Sequence, residues 1–187
     1  NASGNFRELF NGTFGGGHYV TMSGGFDFEG APAAYMFYYT FYGCSNLTGS
    51  IPVGLFGDIS GAPAAGMFNA TFFGCSGLTG SIPVGLFGDI SGAPADHMFY
   101  NTFSGCSGLT GSIPVGLFGD LSGAPAYYMF RATFNGCSGL TGESALMPDG
   151  TTHLYEQFPT ASTTDSYFCY RNATGLNDYA TMPSAWK

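Results

Sequence analysis

The chain of 187 residues repeats itself: LTGSIPVGLFGDISGAPA begins at Leu47, recurs at Leu78 and returns at Leu109 with leucine for isoleucine at Leu121, a period of 31 residues. A unit that short cannot enclose an apolar core alone, so such a chain folds by burying each unit against its neighbours. Cys44, Cys75, Cys106 and Cys137 keep the same beat, and Cys169 follows one residue late. At the N-terminal side Leu9 to Phe14 matches Met36 to Phe41 at a spacing of 27, and after Thr141 the formula fades. The expected organisation is one solenoid domain over 1–187: a shortened first coil or cap at 1–29, regular repeats over 30–141, and a degenerate last coil or cap at 142–187.

Two local periods alternate inside each unit. Met36, Phe37, Thr40, Phe41 and Cys44 are spaced by three and four residues, which predicts one face of a helix beginning near Pro32 and its copies Pro63, Pro94 and Pro125. The inward positions stay fixed from copy to copy while the residues between them vary, as buried neighbours must. The predicted core is therefore Phe37, Phe41 and Cys44, then Phe68, Phe72 and Cys75, then Phe99, Phe103 and Cys106, then Phe130, Phe134 and Cys137. Leu47 and Ile51 alternate with Thr48 and Ser50, which predicts a short strand ended by Pro52, with further strands starting at Leu78, Leu109 and Leu140. The connector from Val53 to Gly61 is expected to hold Leu55, Phe56 and Ile59 as inward anchors amid three glycines, with room for one helical turn. The fold class is α/β, a leucine-rich-repeat-like solenoid with one short parallel strand and one helix per coil.

Composition removes several functions. Twelve acidic side chains face four basic ones, giving a net charge of −8, and Arg7, Arg131, Arg171 and Lys187 are scattered. Nucleic acid needs clustered cations, so it is not expected as a partner. No apolar run is long enough to suggest a span, and membrane insertion is not expected.

The run from Met98 to Pro114, MFYNTFSGCSGLTGSIP, resembles the BspA-like leucine-rich-repeat surface proteins, whose units carry an MF pair, a GCS or NCS step and a leucine-led strand. The match extends over Met36 to Ile51, Met67 to Ile82 and Met98 to Ile113, and over Met129 to Leu140 for the first half of a unit. The resemblance implies an extracellular or cell-surface protein of bacteria or some protists, associated with adhesion, with no catalytic residues. The 31-residue period, the GLFGD connector and the proline after the strand are departures from that pattern.

Among candidate sites, the cysteines read as small buried thiols, with one or two disulfides or a metal as alternatives. His18, His97 and His153 sit in unrelated contexts with no nucleophile motif around them, so no enzyme activity, cofactor or metal is expected. Asp58, Asp89 and Asp120 read as turn or helix caps, a calcium ladder being the alternative. Five of the nine asparagines, Asn1, Asn11, Asn46, Asn69 and Asn172, head N-x-S/T triplets, which suggests a glycoprotein or reflects turn composition. Thr48 and Ser50, with Thr79 and Ser81, and Thr110 and Ser112, form uniform outward rows. Tyr35, Tyr38, Tyr39 and Tyr42 gather on one outer face, and Tyr127 and Tyr128 on another, as contact patches. Phe6, Leu9 and Phe10 at the first coil would meet Tyr167, Tyr170 and Trp186 at the last, an unlike pairing that does not close and so builds fibres. The expected function is a non-enzymatic extracellular structural or adhesive repeat protein, a homo-oligomer or homopolymer forming a filament or array. The alternatives are a protein- or glycan-binding surface module and a Thr/Ser array that binds ice or crystalline polysaccharide.

Overall fold

In the computed structural model residues 20–26, 29–159 and 166–187 are described. They form short parallel strands in small sheets with little helix, a mixed α/β arrangement. The expectations for Asn1, Phe6, Leu9, Phe10, Asn11 and His18 lie outside the described residues.

The longest strands are in the connectors. Strands β2 (Glu29–Gly30), β4 (Asp58–Gly61), β5 (Asp89–Gly92) and β7 (Asp120–Leu121) make one parallel sheet in that order. Their burial alternates, with Ile59, Ile90 and Leu121 inward and Asp58, Asp89 and Asp120 exposed. The connector, expected to hold at most one helical turn, is thus corrected to end in a strand, because DIS carries the period of two that buries one face. Gly88 makes the turn into β5 with a φ of 71°, and a Cβ there would fall 2.2 Å from the Ile59 carbonyl oxygen.

The leucine-led strands are parallel as expected, but minimal. β1 (Val20–Thr21) pairs with β3 (Leu47–Thr48), β6 (Gly111–Ser112) pairs with β8 (Leu140–Thr141), and single bridges join Gly49 to Leu78 and Gly80 to Leu109. Gly49, Gly80 and Gly111 all have φ between 76° and 82°, which breaks each strand before it can lengthen.

The predicted helices are absent from the repeats. In the run from Tyr35 to Cys44 alternate amides do different things. Met36, Tyr38, Thr40, Tyr42 and Cys44 donate to the carbonyl three residues back, whereas Tyr35, Phe37, Tyr39, Phe41 and Gly43 donate to Ala65, Met67, Asn69, Thr71 and Phe73 of the next unit at 2.7–3.0 Å. The second and third units repeat the pattern. The result is a column of tight turns bonded unit to unit, and every fourth residue is left-handed: Tyr35 at 56°, Tyr39 at 55° and Gly43 at 71°, then Gly66, Ala70 and Gly74. A helix would satisfy its amides internally, whereas this arrangement satisfies half of them across units and so locks neighbours together. The spacing misled because a period of four and one of 3.6 choose the same inward positions over nine residues, and Met36, Phe37, Thr40, Phe41 and Cys44 are all buried. The only described helices are α1 (Leu154–Gln157) and a 3-10 turn at Ser184–Trp186.

The core is a set of aromatic columns. Phe37, Phe68, Phe99 and Phe130 stack nearly parallel at 5.2, 5.6 and 5.7 Å, and Phe41, Phe72, Phe103 and Phe134 at 5.3, 5.5 and 5.5 Å. Phe56, Phe87 and Phe118 wedge between the two columns from the connector side. Between the rings lie polar rungs: Thr71, Thr102 and Thr133 donate their hydroxyls to the carbonyls of Phe37, Phe68 and Phe99, and the thiols of Cys75, Cys106 and Cys137 reach those of Phe41, Phe72 and Phe103 at 3.0 Å. All five cysteines are free and buried, the reading favoured by sequence. Burial pushes the Cys137 thiol up to about 12 and raises Cys75, Cys106 and Cys169 as well, so these thiols are poor nucleophiles.

At the C-terminal side the register is corrected. Ala132, Phe134 and Gly136 donate to Tyr167, Cys169 and Arg171 in the manner of a regular unit, and the Tyr170 ring stacks on Phe134 at 5.5 Å. Cys169 therefore stands where the repeats have threonine, Ala173 where they have cysteine, and Leu176 where they have the strand leucine. Five extra residues precede this segment, so its cysteine is not the fifth of the series despite its near-periodic position.

Two substitutions test this packing. Phe72→Ala, which empties a site between Phe41 and Phe103, is expected to cost about 3–5 kcal/mol, read as a lower urea midpoint. At Asn101, φ 57°, Val should destabilise by at least about 1 kcal/mol relative to Gly, since a left-handed site penalises a β-branched side chain. A helix would invert that order, so Asn101→Gly being the worse variant would refute the turn column.

Candidate functional site

The varied residues of the turn column project outward and form an aromatic face. On the first full unit Tyr38 stacks on Tyr39 at 3.9 Å, Tyr39 on Tyr42 at 4.5 Å, and Tyr42 on Phe73 of the next unit at 4.8 Å, while Tyr35 meets Tyr38 edge-on. A second group begins at His97, which contacts Tyr100, Tyr127 and Tyr128 at 5.2–5.9 Å. Tyr127 stacks on Tyr128 at 3.9 Å, and its hydroxyl is held above the ordinary phenol value by its hydrogen bond to Tyr128. Arg131 lies over the Tyr128 ring at 4.6 Å and near Tyr167, and Arg171 lies over Phe168 at 4.3 Å. Tyr35 and Tyr127 are 44% and 47% exposed.

Sequence reading found the two tyrosine groups but missed His97, Tyr100, Phe168 and Arg171 as members of the second. The signal was available, because they occupy the same freely varying columns. It also missed a row of exposed valines, Val53, Val84 and Val115, at the rim of the connector sheet.

Between the groups the second unit carries Gly66, Asn69 and Ala70 where the first has three tyrosines. That substitution leaves a hollow of about 480 Å³ lined by Tyr35, Tyr38, Asn69 and His97. Asn69 is 6% exposed, and its Oδ1 has no hydrogen-bond partner. Its expected outward, glycan-bearing position is therefore corrected: the side chain is buried because the turn column, unlike a helix, tucks this position under its tyrosine neighbours. Of the other described triplets, Asn172 is exposed and Asn46 half-buried.

The contact surface expected at the last coil is corrected too. Trp186 and Tyr170 are buried, their rings 6.2 Å apart, and Trp186 also faces Phe130. The final residues fold back over the aromatic columns, with Lys187 reaching the carbonyls of Tyr179 and Ala180. Only Tyr167 of the three remains part-exposed. The Thr/Ser rows reach solvent as expected, but each pair flanks a left-handed glycine. Asp58, Asp89 and Asp120 open strands, so the helix-cap reading falls with the helices.

One cluster carries ionisable chemistry. Glu143, His153 and Asp178 bring ligand atoms within 4.8 Å of one another. Their partners make it a clamp: Asp178 accepts from the Ser144 amide, the Ser144 hydroxyl at 2.7 Å and the Tyr155 hydroxyl, and Glu143 accepts from Asn177. Ser144 and Asp178 both approach the same His153 nitrogen, Nδ1, at 3.0 and 3.5 Å. A Ser-His-Asp relay needs the serine and the acid on opposite nitrogens, so this geometry does not build one. Burial and the neighbouring Asp178 carboxylate push the Tyr155 hydroxyl up to about 12. Nearby, Asp149 accepts from the amides of Thr151 and Thr152 and from the Thr152 hydroxyl, which holds its carboxyl down at about 2 and fixes a surface turn.

No protein-family model, curated protein or solved structure matches the chain. No helix among the described residues is long and apolar enough to cross a membrane.

Proposed function

We propose that this is a non-enzymatic extracellular repeat protein, structural or adhesive, built as one solenoid whose aromatic turn face is its contact surface. The observation that carries the reading is the division of labour within each turn column. Inward positions repeat in kind through ring stacks of 5.2–5.7 Å, whereas outward positions vary and concentrate tyrosine on two groups. Exposed tyrosines with few charges offer large contact area at low entropic cost. Stacked repeats with parallel pairing support the solenoid, and the C-terminal segment that takes the place of a further unit supports a cap there. An extracellular setting is supported by the acceptor triplet at exposed Asn172, and the free thiols are compatible with it because they are buried away from oxidants.

Self-association in this reading is lateral. The end-to-end pairing that the sequence suggested needs Tyr170 and Trp186, and these are committed to the core. Sedimentation of the full chain is expected to show concentration-dependent association that Tyr127→Ser with Tyr128→Ser abolishes without moving the urea midpoint. A wild-type chain that stays monomeric at all concentrations would end the self-association reading.

A further inference from the structure

We infer that the tyrosine and arginine face docks on the connector sheet of a second copy of this chain, whose acidic strands take the two arginines and whose valine-rimmed hollow takes an exposed tyrosine. The inference rests on the self-association reading and adds to it the surface that receives the aromatic face.

The connector sheet presents apolar groups to water. Val53, Val84 and Val115 stand 82%, 76% and 52% exposed along its rim, a row of the kind that marks contact surfaces. Each is followed by a glycine, and at Gly54 and Gly85 an added Cβ would meet nothing within 4 Å, so the ground beside the valines is low and open. Between the second and third units it deepens into a hollow of about 450 Å³ whose walls include Val84, Val115, Pro148, Asp89 and Asp120. Charge here has one sign. Glu29, Asp58, Asp89 and Asp120 are exposed, one on each strand of the sheet, and none pairs with a cation among the described residues.

The turn face at the C-terminal side carries what this sheet lacks. Arg131 lies over the Tyr128 ring and Arg171 over Phe168, and neither has a carboxylate partner among the described residues. Lys187 is committed to the carbonyls of Tyr179 and Ala180, and Asp96 beside this face is bound by the Tyr127 amide. Tyr127 supplies the projecting ring. Tyrosine and arginine seated in a partner's pocket are among the side chains that dominate interface energetics.

Charge selects the pairing. Two connector sheets brought together would set aspartate against aspartate, and two turn faces would set guanidinium against guanidinium. The unlike pairing brings opposite charges together and lets valine meet tyrosine, which offsets the repulsion between copies of net charge −8. A contact between unlike faces leaves one of each free on the outer copies, so it extends an array where a like pairing would stop at a dimer.

The test is sedimentation equilibrium of the full chain with two charge-reversed variants. One is Arg131→Glu with Arg171→Glu. The other is Asp58→Lys with Asp89→Lys and Asp120→Lys, all three because the repeats offer equivalent seats. Each variant alone should associate at least about a hundredfold more weakly, with its urea midpoint at the wild-type value. Mixed in equal amounts they should associate again, since the arginine face of one meets the intact acidic sheet of the other. A variant that lowers the midpoint is replaced by its neutral form, Gln for both arginines or Asn for the three aspartates, and the mixture should still pair. Wild-type association that survives reversal of the three acids, or a mixture of folded variants that stays monomeric, overturns this inference and leaves the self-association reading standing. A wild-type chain that is monomeric at all concentrations ends both.

Discussion

The repeat structure depends on the alternation of backbone donors in the turn column. One amide closes a turn within its own unit and the next reaches across to the following unit, so no unit has a complete hydrogen-bond set without a neighbour. The cost is a left-handed residue at every fourth position, about 1–2 kcal/mol where that residue is not glycine. Tyr35, Tyr39, Ala70, His97, Tyr128 and Ala132 all bear it. The inter-unit bonds and the ring stacks they align offset that strain, and neither would survive without the other.

The same alternation separates the positions that hold the fold from those free to vary. Rings, threonines and thiols that point inward must match the unit above and below, which explains why they recur almost unchanged. Residues pointing outward meet no such demand and are free to differ. A tyrosine cluster on one unit, a glycine and an asparagine on the next, and a histidine on the third can share one scaffold without disturbing it. Room for an individual contact surface therefore lies where the repeats disagree, on the turn face, and not in the Thr/Ser rows where they agree.

Much of this was legible in the sequence. The 31-residue period gave the parallel pairing, and the fixed positions gave the core, because burial against a copy of oneself demands constancy. The turn column was not legible from apolar spacing alone, which predicted helices in its place. Gly43, Gly74, Gly105 and Gly136, with Gly66 and Asn101, did mark left-handed positions four residues apart, but tyrosine and alanine at the equivalent places masked the rule. Trp186 and Tyr170 read as surface because aromatic residues near a terminus look like a docking patch, and only folding back of the tail shows them as its closure. The expected exposure of Asn69 followed from the helix error, since a helical wheel turns that side chain outward and the turn column buries it.

The most direct test of the account is a trans-hydrogen-bond scalar coupling at Phe68. The turn column places its amide on the Met98 carbonyl at 2.9 Å, thirty residues away, so a coupling between the Phe68 nitrogen and the Met98 carbonyl carbon is predicted. A coupling to the Ala64 carbonyl carbon instead would mean a helix, and would contradict the column, its left-handed residues and the buried place of Asn69 together.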